Sequence, residues 1–306
     1  MARWLVRRLA AAIFVLWAVS TIIFVVTNVY TDPAAVSLPL NASDEQREQR
    51  RENLGLDRPF IVQYGDFLGG LATFDIGDSF WQERAAYDIV LERLPNTLRL
   101  VGASMIFVIL VAVPLGIVAA LYENRSPDRG ALGWALASIS APPFWVAYLL
   151  IIIFAVNLDL VPTSGSSGPK SIILPAISLG LASSGRLSQM LRRGVLDEMR
   201  QPYALTSQSR GFSKGYTIVH HAFRNVGASF VTFSGWELTR MLTGYSIVIE
   251  VVFAWPGIGL LAFQAIEQKD IILLEGSVLM IAALVVFTNL LVDILRRVID
   301  PRVELV

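Results

Sequence analysis

From Leu9 to Thr31 the chain carries no charged residue, and the same is true from Leu100 to Tyr122 and from Gly130 to Leu158. Crossing about 30 Å of hydrocarbon takes roughly 20 mostly apolar residues in a helix, because nothing in that medium satisfies an unpaired backbone group. Each run is long enough to cross. A fourth, Ser171 to Gly185, reaches the usual length only by continuing past Arg186 to about Leu191, with the arginine snorkelling to the headgroups. A fifth runs from Val226 to about Ile249, interrupted by Glu237 and Arg240, and a sixth from Gly276 to about Leu295, with Asp293 near its end. These runs predict an all-α, multi-pass integral membrane protein of six transmembrane helices. A mean hydropathy of +0.58 agrees with that class.

The placement of charge gives the direction of the spans. With the amino terminus inside, the inner segments hold Arg3, Arg7 and Arg8, then Arg125 and Arg129, then Arg192, Arg193, Arg200, Arg210, Lys214 and Arg224, then Arg296, Arg297 and Arg302. The two short outer loops hold only Lys170 and Lys269. Both termini are therefore expected in the cytoplasm. Arg3, Arg7 and Arg8 could also head a cleaved signal peptide, but the apolar run behind them is long for one, which favours an uncleaved first helix. Lys plus Arg and Asp plus Glu balance at 25 each, so overall charge does not point to nucleic acid. The absence of cysteine removes disulfides, thiolate metal sites and cysteine nucleophiles together.

Three regions follow: 1–31, the cytoplasmic amino terminus and first span; 32–94, an extracytoplasmic segment; and 95–306, a five-helix core with a basic cytoplasmic loop at 192–225. In the outer segment, "SDEQREQRRENLGL" from Ser43 to Leu56 predicts an exposed amphipathic helix. That segment reads either as a docking surface or as a solvated connection. "NAS" at Asn41 to Ser43 matches a glycosylation acceptor, a pattern common by chance.

In the basic loop, Pro202 to Ser209 suits a short helix, Gly211 permits a turn, and Tyr216 to Phe223 suits a second short helix. Such a loop reads either as an anchor held inside by its charge or as a shaped surface. Glu237 and Arg240 stand three apart, so they can pair on one helical face. They either line a water-filled pathway or tie packed helices together. Glu250 is expected near the outer interface. His220 and His221 point about 100° apart on a helix with no further ligand nearby, which favours surface residues over a metal site. "GSSGPKS" at Gly165 to Ser171 lacks the adjacent Gly-Lys of a phosphate loop and reads as a turn. "WPGIG" at Trp255 to Gly259 reads as an interfacial turn, and "DPR" at Asp300 to Arg302 as a stop after the last span.

Tyr203, Thr206, Arg210, Gly211 and Phe212, followed by "HAFRN" from His221 to Asn225, resemble the cytoplasmic loop of ATP-binding-cassette importer permeases of the peptide and nickel branch. The likeness extends over nearly the whole chain. It includes "RRL" at the start, Asp32 and Pro33, Leu54 to Leu71, "DIGDS" at Asp75 to Ser79, "RLPNTLRL" at Arg93 to Leu100, Ile247 to Ile266, "NLLVDIL" at Asn289 to Leu295, and "DPR". The resemblance implies a type I importer permease fold. It implies that Tyr203, Thr206, Arg210, Gly211, Phe212, His221, Arg224 and Asn225 belong to a loop whose coupling helix docks on an ATPase. It also implies that Glu237, Arg240 and Glu250 lie along the translocation route or its gate.

Such a subunit is non-catalytic: ATP and Mg would sit on two cytoplasmic ATPase subunits, and this chain would bind no cofactor. Its other partners would be a second, homologous permease, an extracytoplasmic substrate-binding protein and the membrane lipid. The implied cargo is dipeptides or oligopeptides, with nickel or another small solute as the alternative. A secondary transporter would show repeated halves with broken helices or more intramembrane charge, and an intramembrane enzyme a nucleophile with its base. Neither pattern is visible in the sequence.

Overall fold

The structure, a computed structural model, describes residues 2–30, 38, 43–53 and 55–299. Asp32, Pro33, Asn41, Leu54 and the stretch 300–302, all singled out above, lie outside the described residues. Regular structure among the described residues is helical, apart from an isolated bridge between Asp78 and Ala85. The helices are α1 (Ala2–Val25), α2 (Asp44–Asn53), α3 (Phe60–Thr73), α4 (Ala86–Leu121), α5 (Ser126–Ser140), α6 (Pro143–Leu150), α7 (Ile173–Met199), α8 (Pro202–Ser209), α9 (Lys214–Thr217), α10 (Phe223–Arg240), α11 (Ser246–Val252), α12 (Ile258–Glu267) and α13 (Ile271–Ile299). Wider π turns prolong α1 over Val26–Tyr30 and α6 over Ile151–Asn157, and join α9, α10 and α11 through Ile218–Ala222 and Met241–Tyr245.

By length and apolarity, three helical stretches among the described residues suffice to cross a membrane: Val6–Asn28, Ala86–Leu121 and Ile271–Val298. The third expected span is not one straight helix. It breaks into Ser126–Ser140 and Pro143–Asn157, bent by 103°. Pro142 and Pro143 cause the break. Neither has an N–H to give an upstream carbonyl, and the residue before a proline is forced out of the helical region. Ala141 accordingly sits at φ −82, ψ 125 and Pro142 at φ −60, ψ 134.

Two compact units share the chain. The first comprises Met1–Thr97 and Pro256–Val286. Phe24 of α1 meets the rings of Phe60, Tyr64 and Phe67 of α3, each with centroids 5.2 Å away. A core of Ala86, Ile89, Val90, Leu261, Ala265 and Leu273 joins the start of α4 to α12 and α13. Asp270 organises this unit. Fully buried, it accepts hydrogen bonds from Ser79 Oγ (2.5 Å), Trp81 N (3.0 Å) and Leu273 N (3.0 Å), the last capping α13. The "WPGIG" turn is clasped as well: Asn96 Nδ2 donates to Pro256 O at 2.9 Å, and Thr97 Oγ1 accepts from Ile258 N at 2.8 Å. Helix α2 forms as expected and opens on a capping box between Ser43 and Gln46. It is polar on every side, since no apolar residue stands between Asp44 and Asn53.

The second unit comprises Leu98–Trp255 and Phe287–Val306. Its centre is α7, which packs against α5, α6 and α10. Small residues allow the approach. A Cβ on Gly185 would collide with Ser138 Oγ and come within 2.9 Å of Ala135 O, and one on Gly194 would come within 2.9 Å of Val226 Cγ1. With dispersion rather than water expulsion holding helices together in lipid, such close backbones are how they gain contact.

Candidate functional site

The candidate site grows out of the end of α7, which continues past Leu191 as far as Met199. Arg192 and Arg193 are therefore helical residues rather than loop residues. Arg192 is held by Asp128 at the start of α5, with Nε to Oδ1 at 2.5 Å and Nη2 to Oδ2 at 2.6 Å. After one bend, Pro202 opens α8 at a position where its missing N–H costs nothing. Gly211 then turns the chain at φ +87, in the left-handed region that side chains disfavour.

Beyond the turn the structure departs from expectation. The second helix does not end near Phe223; it starts at Lys214 and runs on through α10 and α11 to Val252. Its start has a clear physical cause, because Ser213 caps it by accepting from Tyr216 N at 3.2 Å. No proline follows until Pro256, so nothing in the local sequence stops it.

The two helices form a fixed hairpin. Ser207 Oγ and Thr217 Oγ1 share a buried hydrogen bond of 2.9 Å, and Ala204, Ile218 and Ala222 join a core with Ala120, Leu191, Val195 and Val226. Lys214 Nζ reaches the last carbonyls of α4, Ala120 O at 3.1 Å and Leu121 O at 3.2 Å, a cation at a helix C-terminus. Glu198 ties the base, accepting from Tyr203 Oη at 2.5 Å and from Asn225 Nδ2 at 2.9 Å. Burial, reinforced by that bond to a carboxylate, pushes the Tyr203 hydroxyl up to about 12. It stays protonated and donating throughout the physiological range.

What the hairpin presents outward is a cationic, aromatic surface. Thr206, Arg210, Gly211, Phe212, His221, Arg224 and Asn225 are all exposed. Phe212 stacks on Tyr216 (4.8 Å between centroids), Tyr216 stacks on His220 (4.1 Å), and His221 meets the Tyr216 edge at 6.0 Å. Tyr216 and His220, not among the loop residues singled out by sequence, extend this exposed ring stack. Their signal was an aromatic every fourth residue from Phe212, the spacing that aligns side chains along one helical face.

A second feature is buried inside the same unit. Glu237 accepts from Arg186 Nε at 2.8 Å, Arg186 Nη2 at 2.7 Å and Ser183 Oγ at 2.8 Å. The expected pairing with Arg240 is looser, 3.8 Å from Nη1 to Oε1. Arg186 thus does not snorkel away from the helices. A carboxylate with a two-pronged guanidinium partner in a poorly hydrated setting outweighs the reach to the headgroups. Glu250 is fully buried. Among the described residues no group of three His, Cys, Asp or Glu side chains is arranged to hold a metal ion.

Comparison with known proteins gives this geometry a family. Residues 112–305 match the model described as binding-protein-dependent transport system inner membrane component, and residues 1–101 match its amino-terminal counterpart. The chain belongs to this family. It is thus a multi-pass protein of the cell membrane and a transport component of the kind that works with a binding protein.

Among its relatives is a peptide transport system permease protein of Brucella abortus, 38% identical over 309 residues and covering 98% of each chain. The glutathione transport system permease protein GsiC of Escherichia coli is 31% identical over 305 residues and covers 99% of each. In fold, the chain is similar to the inward-facing MetNI methionine ABC transporter. The TM-score is 0.59 at 16% identity, over 69% of this chain and 96% of that one.

Proposed function

We propose that this chain is the membrane-spanning subunit of an ATP-driven importer that carries peptides. The observation that carries this reading is full-length similarity to a peptide and a glutathione transport permease, within a family defined by dependence on a binding protein. In this reading six spans cross the membrane: α1, α4, the bent pair α5 and α6, α7, the long helix through α10, and α13. Both termini lie in the cytoplasm. The hairpin at 192–225 faces the cytoplasm too, and the residues 32–94 lie outside with the binding protein.

A second, homologous permease completes the pore, and two ATPase subunits bind ATP and Mg. The chain itself catalyses nothing. Closure of the ATPases moves the hairpin, and the fixed joints at Ser207, Lys214 and Glu198 pass that motion to α7, α4 and α10 without slack. The surface of Arg210, Phe212, Tyr216, His221 and Arg224 supports a docking role, since its aromatics supply contact area and its arginines supply direction. Arg240, whose side chain is half exposed, faces the translocation route, with Glu237 behind it and the fully buried Glu250 supporting the gate from within the packed helices.

Co-expression of the chain with its partner permease and ATPases tests the reading. A stable complex is expected whose ATP hydrolysis rises with peptide-loaded binding protein. Transport driven by an ion gradient, with no ATPase bound, would refute it.

A further inference from the structure

A groove of about 500 Å³ opens in the second unit between α5, α7 and α10, within the range of sites that hold small molecules. Its chemistry is one-sided. Leu136 and Trp236 give it apolar walls and are 58% and 60% exposed, while Arg186, Arg193, Arg240 and Gln189 supply donors. The one carboxylate present, Glu237, already has both oxygens taken by Arg186 and Ser183. Arg193 forms no ion pair among the described residues, and Arg240 stands at 3.8 Å from Glu237. Gln189 adds a buried Nε2 with no hydrogen-bond partner among them. The charged groups left without a close partner, Arg193 and Arg240, are therefore cationic donors, and they stand beside a wall suited to an apolar body.

We propose that this groove recognises the carboxylate end of the transported peptide, an inference that rests on the importer reading. Arg193 and Arg240 bind the carboxylate, Gln189 donates to it, and the peptide's apolar side chains lie against Leu136 and Trp236. A carboxylate suits these donors because a guanidinium meets it through two parallel hydrogen bonds. Glu237 holds Arg186 in the floor of the groove and neutralises it, which leaves Arg193 and Arg240 as the cations open to a ligand.

The test uses the assembled complex of both permeases and both ATPases in lipid nanodiscs, without binding protein, titrated with trileucine and with its C-terminal amide. The free acid is expected to bind about tenfold more tightly than the amide, the scale of a charged hydrogen bond. The double variant Arg193→Gln/Arg240→Gln, checked for intact assembly, is expected to bind acid and amide alike. Equal binding of the two peptides by the unmodified complex overturns the proposal, as does an acid preference that survives in the variant. A variant that changes only the response to phosphatidylglycerol content overturns it too, making the groove a lipid site. Failure of the importer reading is separate: the unmodified complex would then not assemble, or its ATP hydrolysis would not respond to loaded binding protein.

Discussion

Gly211 and Glu237 show two ways in which a single residue carries a large consequence. At Gly211 the constraint is purely conformational, since a Cβ there would meet nothing within 4 Å while φ is +87. Gly211→Val should therefore cost about 1–2 kcal/mol at the turn, and Gly211→Asn less, because asparagine tolerates the left-handed region. In the reconstituted importer, ATP hydrolysis per peptide taken up should rise for Val above Asn above Gly; equal ratios would remove the turn from coupling.

At Glu237 the constraint is electrostatic. Removing it leaves Arg186, whose side chain is 26% exposed, without its counter-charge. Glu237→Ala should lower stability by about 3 kcal/mol, whereas the double variant Arg186→Met/Glu237→Met should recover most of it, because no lone charge remains buried. Thermal unfolding of the purified complex reads both. Glu237 was legible as an intramembrane charge, but its partner was not. Arg186 lies 51 positions away and looked like an arginine near a span's end.

Among the elements, α7 decides how close its neighbours come. Gly185→Leu should force α5 away and cost about 1–3 kcal/mol or more, since Ala135 O already stands 2.9 Å from the built Cβ. Gly227→Ala is the contrasting case, with nothing within 4 Å of the added carbon. It should stabilise α10 by about 0.5–1 kcal/mol by narrowing the unfolded ensemble. The two melting temperatures should move in opposite directions. Element ends were legible where a local chemical signal exists. Pro202 to Ser209 and the Gly211 turn follow the expected bounds, whereas the bend at Pro142 leaves no trace in hydropathy, because proline breaks a helix through its missing N–H and its fixed φ rather than through polarity. The helix from Lys214 runs past the expected end at Phe223 because no proline stands before Pro256, and the basic character of 220–225 is compatible with helix as well as loop.

For the whole molecule, the absence of cysteine makes the expected topology directly measurable. Ser209→Cys should react with a membrane-impermeant maleimide only from the cytoplasmic face, and Ser167→Cys only from the outside. Labelling of both from one side would overturn the six-span order. Both positions are exposed, so neither reaction should be blocked by burial within this chain.

Hydropathy and charge placement alone established a helical membrane protein, because a bilayer imposes its length and its desolvation cost on every segment independently of the rest of the fold. Short motifs added the family, whose model the chain matches. Partnerships across long stretches of chain were decided only by tertiary structure. Asp270 joins Ser79, Asn96 joins Pro256, Asp128 joins Arg192, and Glu237 joins Arg186 rather than Arg240. The reason is physical: a charge or an unpaired amide takes whichever complementary group the packed helices bring within about 3 Å, and that distance is set by the fold rather than by separation along the chain.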